Sequence, residues 1–199
     1  MIAIIDVTGN NLTSLANAIQ RLGFDFILTH SAEKIRQANH VILPGVGAAF
    51  PAMKALEEAK LVNVLKELTQ PLLGICLGMQ LLYESSEEGN VDCLGLIPGT
   101  IQHLPDREGF SVPHMGWNSL QWYQNSPLRQ GLANKDYVYF VHSYAARTNE
   151  YSLASCQYQD EFTAIVQKNS TYGMQFHPEK SAEPGLQLLK NFLTLEGAC

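Results

Sequence analysis

The stretch Gln70-Pro71-Leu72-Leu73-Gly74-Ile75-Cys76-Leu77-Gly78-Met79-Gln80-Leu81-Leu82 decides how this chain is read. A short apolar run after a proline suits a buried strand, and the unbroken Leu77, Met79, Leu81 and Leu82 beyond it predict a helix. Between them lies Gly74-x-Cys76-x-Gly78, the pattern of the strained strand-to-helix turn called a nucleophile elbow. Glycines are required there because backbone approaches backbone and a Cβ would clash. Such a turn lifts the central side chain to the tip of a sheet, beside the positive end of a helix that favours a thiolate. A lone cysteine in an apolar run is more often a small buried hydrophobe, and isolated glycines occur in strands for reasons unrelated to catalysis. On this stretch alone the two readings balance.

Upstream of it, strand and helix patterns alternate. Met1 to Val7 is a β-branched run that suits burial on both faces, as in a parallel sheet. Loop chemistry follows at Thr8-Gly9-Asn10-Asn11, then Leu12, Leu15, Ala16, Ile19 and Leu22 recur at helical spacing until Gly23. Phe24 to Leu28 reads as a second strand and Ser31 as the N-cap of a short helix. His40-Val41-Ile42-Leu43 is a third strand that stops at Pro44-Gly45-Val46-Gly47. One long helix carrying Met53, Leu56, Leu61, Val64, Leu65 and Leu68 is expected before the fourth strand and the elbow. This alternation predicts an α/β fold with a doubly wound, mostly parallel sheet and right-handed crossovers.

Downstream the pattern shifts to short β-rich segments at 95–104, 117–123, 137–143, 152–157 and 162–167, expected as antiparallel extensions. Tyr172 to Phe176 is a last strand before His177-Pro178-Glu179. A final helix begins at Ser181, with Ser181 as its cap and Pro184 in its first turn. No linker composition divides the 199 residues, so one domain over 1–199 is expected.

Composition removes several classes of function. Lys and Arg number 13 against 19 Asp and Glu, a net charge of −6 with no basic cluster, which argues against nucleic acid. No apolar run reaches the roughly eighteen residues of a membrane span. The first seven residues lack the basic flank and cleavage site of a signal peptide. Cys76, Cys93, Cys156 and Cys199 show no Cys-x-x-Cys spacing. They fit free thiols in a reducing cytoplasm better than disulfides or a zinc site, and the last three read as structural or surface thiols.

In an open α/β sheet the working groups collect outside the carboxyl ends of the strands. The loops after Leu43, at Cys76 and after Phe176 qualify. In extended chain His177 and Glu179 face the same way, so an imidazole and a carboxylate line up as base and orienting group for a thiol. Pro44-Gly45-Val46-Gly47 either turns a backbone N–H toward a developing oxyanion or is a tight turn that starts the next helix.

Taken together, Gly74-Ile75-Cys76-Leu77-Gly78-Met79-Gln80, Pro44-Gly45-Val46-Gly47 and His177-Pro178-Glu179 resemble, in the right order, the class I glutamine amidotransferases. Pro113-His114-Met115-Gly116-Trp117-Asn118 and Tyr139-Phe140-Val141-His142-Ser143-Tyr144 resemble the branch of that family serving imidazole glycerol phosphate synthase. The resemblance runs from the first strand to the last helix. It implies a flavodoxin-like fold and a glutaminase without cofactor or metal. Cys76 attacks the glutamine side-chain amide, His177 moves the proton, Glu179 orients His177, and water cleaves the glutamyl thioester.

The same resemblance assigns the remaining positions. Gly45, Val46 and Gly47 with the N–H of Leu77 become the oxyanion donors. Gln80, Glu88, His142, Ser143 and Tyr144 become the pocket for the α-amino and α-carboxylate groups. Gln80, four residues after Cys76, falls on the same helical face. The implied partner is a (β/α)₈-barrel cyclase, which takes the ammonia for histidine biosynthesis in a cytoplasmic heterodimer. Asn11, His114, Trp117, Asn118, Tyr139 and Lys180 fall at or near that interface, although Trp117 reads equally as a core tryptophan. Three other readings stay open. They are an amidotransferase for anthranilate or GMP synthesis, a metal hydrolase built on Cys76, His114, His142, His177 and Glu179, and a flavodoxin-like binding module with an inert cysteine. Gly116-Trp117-Asn118 speaks against the first, and the ligand spacings speak against the second.

Overall fold

The computed structural model describes residues 1–7 and 12–196. Its first half runs β1 (Ile2–Ile5), α1 (Thr13–Arg21), β2 (Phe26–Thr29), α2 (Ala32–Gln37), β3 (His40–Gly45), α3 (Ala49–Glu58), α4 (Val62–Lys66), β4 (Leu72–Cys76) and α5 (Leu77–Gln80). The second half runs β5 (Ser85–Ser86), β6 (Val91–Asp92), β7 (Thr100–His103), β8 (His114–Ser119), β9 (Gln121–Trp122), β10 (Tyr137–His142), β11 (Tyr144–Ala146), β12 (Ser152–Gln157), β13 (Glu161–Lys168), β14 (Thr171–Met174) and α6 (Ala182–Leu193). Asn11, the loop around it and Cys199 lie outside the described residues.

An eight-stranded sheet is ordered β2-β1-β3-β4-β14-β13-β12-β9. From β2 to β14 neighbouring strands are parallel. From β14 outward they are antiparallel, as the β-rich second half predicts. Residues alternate between two cores. Ile2, Ile4, Ile42, Leu73 and Ile75 pack with Leu15 and Ile19 of α1 and Leu188, Leu189 and Phe192 of α6. Ala3, Ile5, Val41, Leu43 and Leu72 pack on the opposite face with Ile35, Met53, Leu56, Val64 and Leu65 of α2, α3 and α4. Both faces are covered, so the parallel strands are apolar throughout rather than alternating. Each fully buried Leu or Ile contributes about 1.5–3 kcal/mol.

The expected long helix over 53–68 is two helices. Lys60 takes φ +58°, its N–H bonds to Glu57 O, and Leu61 N–H reaches back to Leu56 O. This is a Schellman ending built on a lysine instead of a glycine. β3 also runs on through Pro44 and Gly45, which pair with Ile75 and Cys76. The helix expected behind Cys76, α5, is a single turn of four residues, so the helical field at the sulfur is that of one turn. Ser31 caps α2 as expected. Ser181 makes no cap bond to α6. A two-stranded sheet (β10-β8) and a four-stranded one (β11-β7-β5-β6) complete the fold, and they carry the second wall of the site.

Candidate active site

Cys76 closes β4 at φ +53°, ψ −112°, a conformation that costs a non-glycine residue on the order of 1–3 kcal/mol. Backbone packing enforces it. A Cβ on Gly78 would sit 1.8 Å from Leu43 O, and one on Gly74 would sit 2.6 Å from Gly78 O. A Cβ on Gly45 would meet Gly78 N at 2.8 Å. The ends of β3, β4 and α5 are therefore in contact main chain to main chain, and the chain has no relaxed path through Cys76. The elbow expected from the glycine spacing is present. Among the described residues the other two thiols are ordinary buried ones, since burial pushes Cys156 up to about 12 and Cys93 up to about 11, with Asp92 adding to the latter.

His177 and Glu179 follow β14, the strand beside β4. His177 Nδ1 lies 2.8 Å from Glu179 Oε1, which leaves Nε2 for Cys76. Burial alone lowers the imidazole pKa. Hydrogen bonding and charge from Cys76 and Glu179 outweigh it and raise His177 to about 9. The His-Pro-Glu turn is anchored to β10: His177 N–H donates to Tyr139 O at 3.0 Å. Ser181 Oγ accepts from Tyr139 N–H at 2.9 Å and donates to His177 O at 2.6 Å. That is where the hydroxyl expected to cap α6 is used.

A second histidine pair stands on the opposite wall. His142 Nδ1 lies 2.8 Å from Tyr144 O, which only accepts, so Nδ1 carries the hydrogen. His142 Nε2 then accepts from His114 Nδ1 at 3.1 Å. His114 stacks on Tyr158 and Phe140 with ring centroids 3.9 and 5.0 Å away. Burial pushes His142 down to about 3 and His114 down to about 4, so both are neutral.

Between the walls lies a cavity of about 320 Å³, lined by Val46, Gly47, Cys76, Leu77, Gln80, Glu88, Ser143, Tyr144 and His177 among others. Nearly every residue expected in the catalytic, oxyanion and substrate sets meets there. Gln80 Nε2 donates to Tyr144 O and to Gln175 Oε1, which leaves Gln80 Oε1 as its free acceptor. Glu88 Oε2 accepts from Ala49 N–H at 2.9 Å, at the start of α3, and its second oxygen remains for a cation. His142 lines the cavity, as expected of a pocket residue, with both ring nitrogens engaged within the protein. Val46 and Gly47, the latter at φ +96°, line the cavity. Gly45 is packed against Leu77 and Gly78 and is not among the residues lining the cavity.

The expected interface residues separate by strand parity. In the two-stranded β10-β8 sheet, Tyr139 pairs with Trp117 and their rings meet edge to face. Met115, Trp117 and Tyr137 are 61%, 52% and 58% exposed. Trp117 is therefore a surface residue and not a core tryptophan. Lys180 is exposed as well. His114 is 3% exposed and lies behind this face, not on it. Asn118 donates to Gln157 O and accepts from Ser119 N–H, which holds β12 in place. Sequence reasoning misses Gln175, Ser181, Val141 and Pro113; the signal for Gln175 is a lone amide inside an apolar strand.

Comparison with known proteins follows the same line. The family model described as "Glutamine amidotransferase class-I" matches residues 3–195. Over 199 residues, all of both chains, the sequence is 63% identical to imidazole glycerol phosphate synthase subunit HisH 2 of Legionella pneumophila strain Paris. It is 50% identical over 194 residues to the corresponding HisH subunit of Idiomarina loihiensis, covering 98% of this chain and 97% of that one. A crystal structure of a glutamine amidotransferase superposes with a TM-score of 0.74 at 18% identity, over 97% of this chain and 99% of its own. At that identity the last likeness speaks for the fold.

Proposed function

This chain belongs to the class I glutamine amidotransferases, and from that we infer that it is the glutaminase subunit of an imidazole glycerol phosphate synthase in histidine biosynthesis. Full-length relatives of that name at 63% and 50% identity support the reading. The observation that carries it into chemistry is the single cavity shared by Cys76, His177 and the Val46-Gly47 turn.

The residues divide the reaction among themselves. His177 takes the Cys76 proton, and the sulfur attacks the carboxamide carbon of glutamine. The carbonyl oxygen becomes an anion beside the Leu77 N–H and the Val46-Gly47 peptide. Collapse of this intermediate breaks the C–N bond, and His177 gives its proton to the nitrogen, which leaves as ammonia. Water, deprotonated by the same imidazole, cleaves the thioester to glutamate and restores the thiol. Glu179 keeps Nε2 aimed at the sulfur. Glu88 takes the α-ammonium group, joined by Gln80 Oε1, and Ser143 and the Tyr144 segment take the α-carboxylate.

Being a subunit, the chain works with a second protein. We assign that role to a (β/α)₈-barrel cyclase that consumes the ammonia, seated on the apolar face of Met115, Trp117, Tyr137 and Tyr139, with Lys180 nearby. The free thiols of Cys76, Cys93 and Cys156 fit a cytoplasmic complex. Among the described residues, no helix is long and apolar enough to cross a membrane. The test is glutamate and ammonia release from glutamine, measured with and without such a cyclase and its ligand. Release that depends on the cyclase and disappears in Cys76→Ala is expected. Release that survives Cys76→Ala, or capture of an anthranilate or GMP synthase component instead, overturns the reading.

A further inference from the structure

Besides His177, the Cys76 sulfur touches two polar groups. Val141 O lies 3.8 Å from Sγ and Gln175 Nε2 lies 3.9 Å from it. A carbonyl oxygen welcomes an S–H and repels a thiolate, whereas an N–H does the reverse. Gln175 is completely buried, and its N–H groups have no access to water.

Its orientation is dictated step by step. Tyr144 O can only accept, so the Gln80 atom 2.9 Å away is Nε2. That nitrogen's other hydrogen points at Gln175 3.1 Å away and demands an acceptor there, Oε1. Gln175 Nε2 is then the atom left for the sulfur. The backbone of Gln175 is held as well, its N–H donating to Ala164 O at 2.9 Å. The amide therefore cannot flip without setting two N–H donors against each other at Gln80 and leaving buried groups unpaired.

We propose that Gln175 is a further catalytic residue, whose carboxamide, locked by Gln80 and Tyr144, holds an N–H on Cys76 Sγ and stabilises the thiolate that attacks the substrate. The role rests on Cys76 being the nucleophile. It offsets the Val141 carbonyl, which faces the same sulfur. The titratable groups around the thiol are His177 with Glu179 behind it on the β14–α6 turn, His142 with His114 behind it on β10 and β8, and Glu88 across the cavity. The β10 and β8 imidazoles are neutral, so the charged groups acting on the sulfur are His177, Glu179 and Glu88.

Alkylation of Cys76 by iodoacetamide, followed on its own peptide by mass spectrometry from about pH 5 to pH 10, tests this on the full chain. Gln175→Met keeps the side-chain length and removes the N–H. Its alkylation midpoint is expected about one pH unit above that of the parent chain, about tenfold less thiolate at a given pH below it. Gln175→Glu keeps Oε1 for Gln80 and carries the test where Gln175→Met does not fold; its shift is expected to be larger, because a carboxylate replaces the donor. A folded variant with an unmoved midpoint overturns the proposal. So does a variant whose rate falls equally at every pH, the mark of a purely structural amide. A parent chain whose Cys76 resists alkylation at every pH instead sinks the nucleophile assignment, and this inference with it.

Discussion

Two buried histidines flank one cavity and hold opposite states. His177 is 4% exposed and His142 is 5% exposed, so burial favours the neutral ring in both. Their partners separate them. His177 faces the Glu179 carboxylate and the Cys76 sulfur and is raised to about 9. His142 is pushed down to about 3 by burial, which its bond to the Tyr144 carbonyl does not offset, and the charge of His177 adds to the push. At equal depth, what separates the two imidazoles is whether charged neighbours outweigh burial, as they do at His177 and not at His142. One wall can hold a proton and pass it on, while the other is a rigid neutral surface.

The strongest way to break this contrast is to remove the proton carrier. His177→Asn is expected to lower glutamine hydrolysis in the complex by up to about 10⁴-fold, read as ammonia release. Glu179→Gln leaves the ring in place without its carboxylate. A loss of about 10²-fold is expected, and the His177 ring titration, followed by NMR, should fall well below about 9. If that titration stays put, the carboxylate is not what holds the charge.

The neutral wall responds through stability first. His142→Phe keeps an aromatic surface but strips His114 of its acceptor, at a cost of about 1–3 kcal/mol in urea unfolding near pH 7. Less than a tenfold change in turnover should accompany it, because the ring contributes shape alone. The smallest effect belongs to His114→Phe, about 1 kcal/mol at neutral pH, with a distinct pH signature. His114 and His142 titrate lower folded than their usual 6.5, so their contribution is complete above pH 6.5 and is lost as pH falls toward about 4 and 3. His177 titrates higher folded, so its contribution is complete below pH 6.5 and is lost as pH rises through about 9. His114→Phe should therefore flatten the acid side of the stability profile and leave the alkaline side unchanged. An unchanged acid side would mean that His114 is not held neutral by the fold.

Much of this arrangement is legible in the sequence because it is written in short local patterns. Gly74-x-Cys76-x-Gly78 needs its glycines for contacts made within a few residues of the cysteine, and His177 and Glu179 carry their geometry in a two-residue spacing. The parallel half of the sheet announces itself through runs such as Met1 to Val7, apolar on both faces. What escapes depends on distant partners. Lys60 ends α3 in a left-handed conformation with no glycine to mark it. Ser181 stands where a cap is expected, but its hydroxyl is drawn to Tyr139 by β10. Gln175 has no motif of its own, because its orientation is settled by α5 and β11. Trp117 is decided only by the register with Tyr139, which fixes which face of the two-stranded sheet points outward.

The glycine contacts at the elbow bear on the segment proposed to carry the oxyanion donors. Up to Gly45 the chain is fixed against Leu77 and Gly78, and from Ala49 onward it is tied by the bond from its N–H to Glu88. Between these two anchors lie Val46, Gly47 and Ala48, with Gly47 at φ +96° and nothing within 4 Å of where its Cβ would be. The span between the two anchors is thus three residues long. A change in which N–H faces the cavity would rotate one peptide between these ends, and the downstream end is held by Glu88, the carboxylate proposed for the substrate's ammonium group.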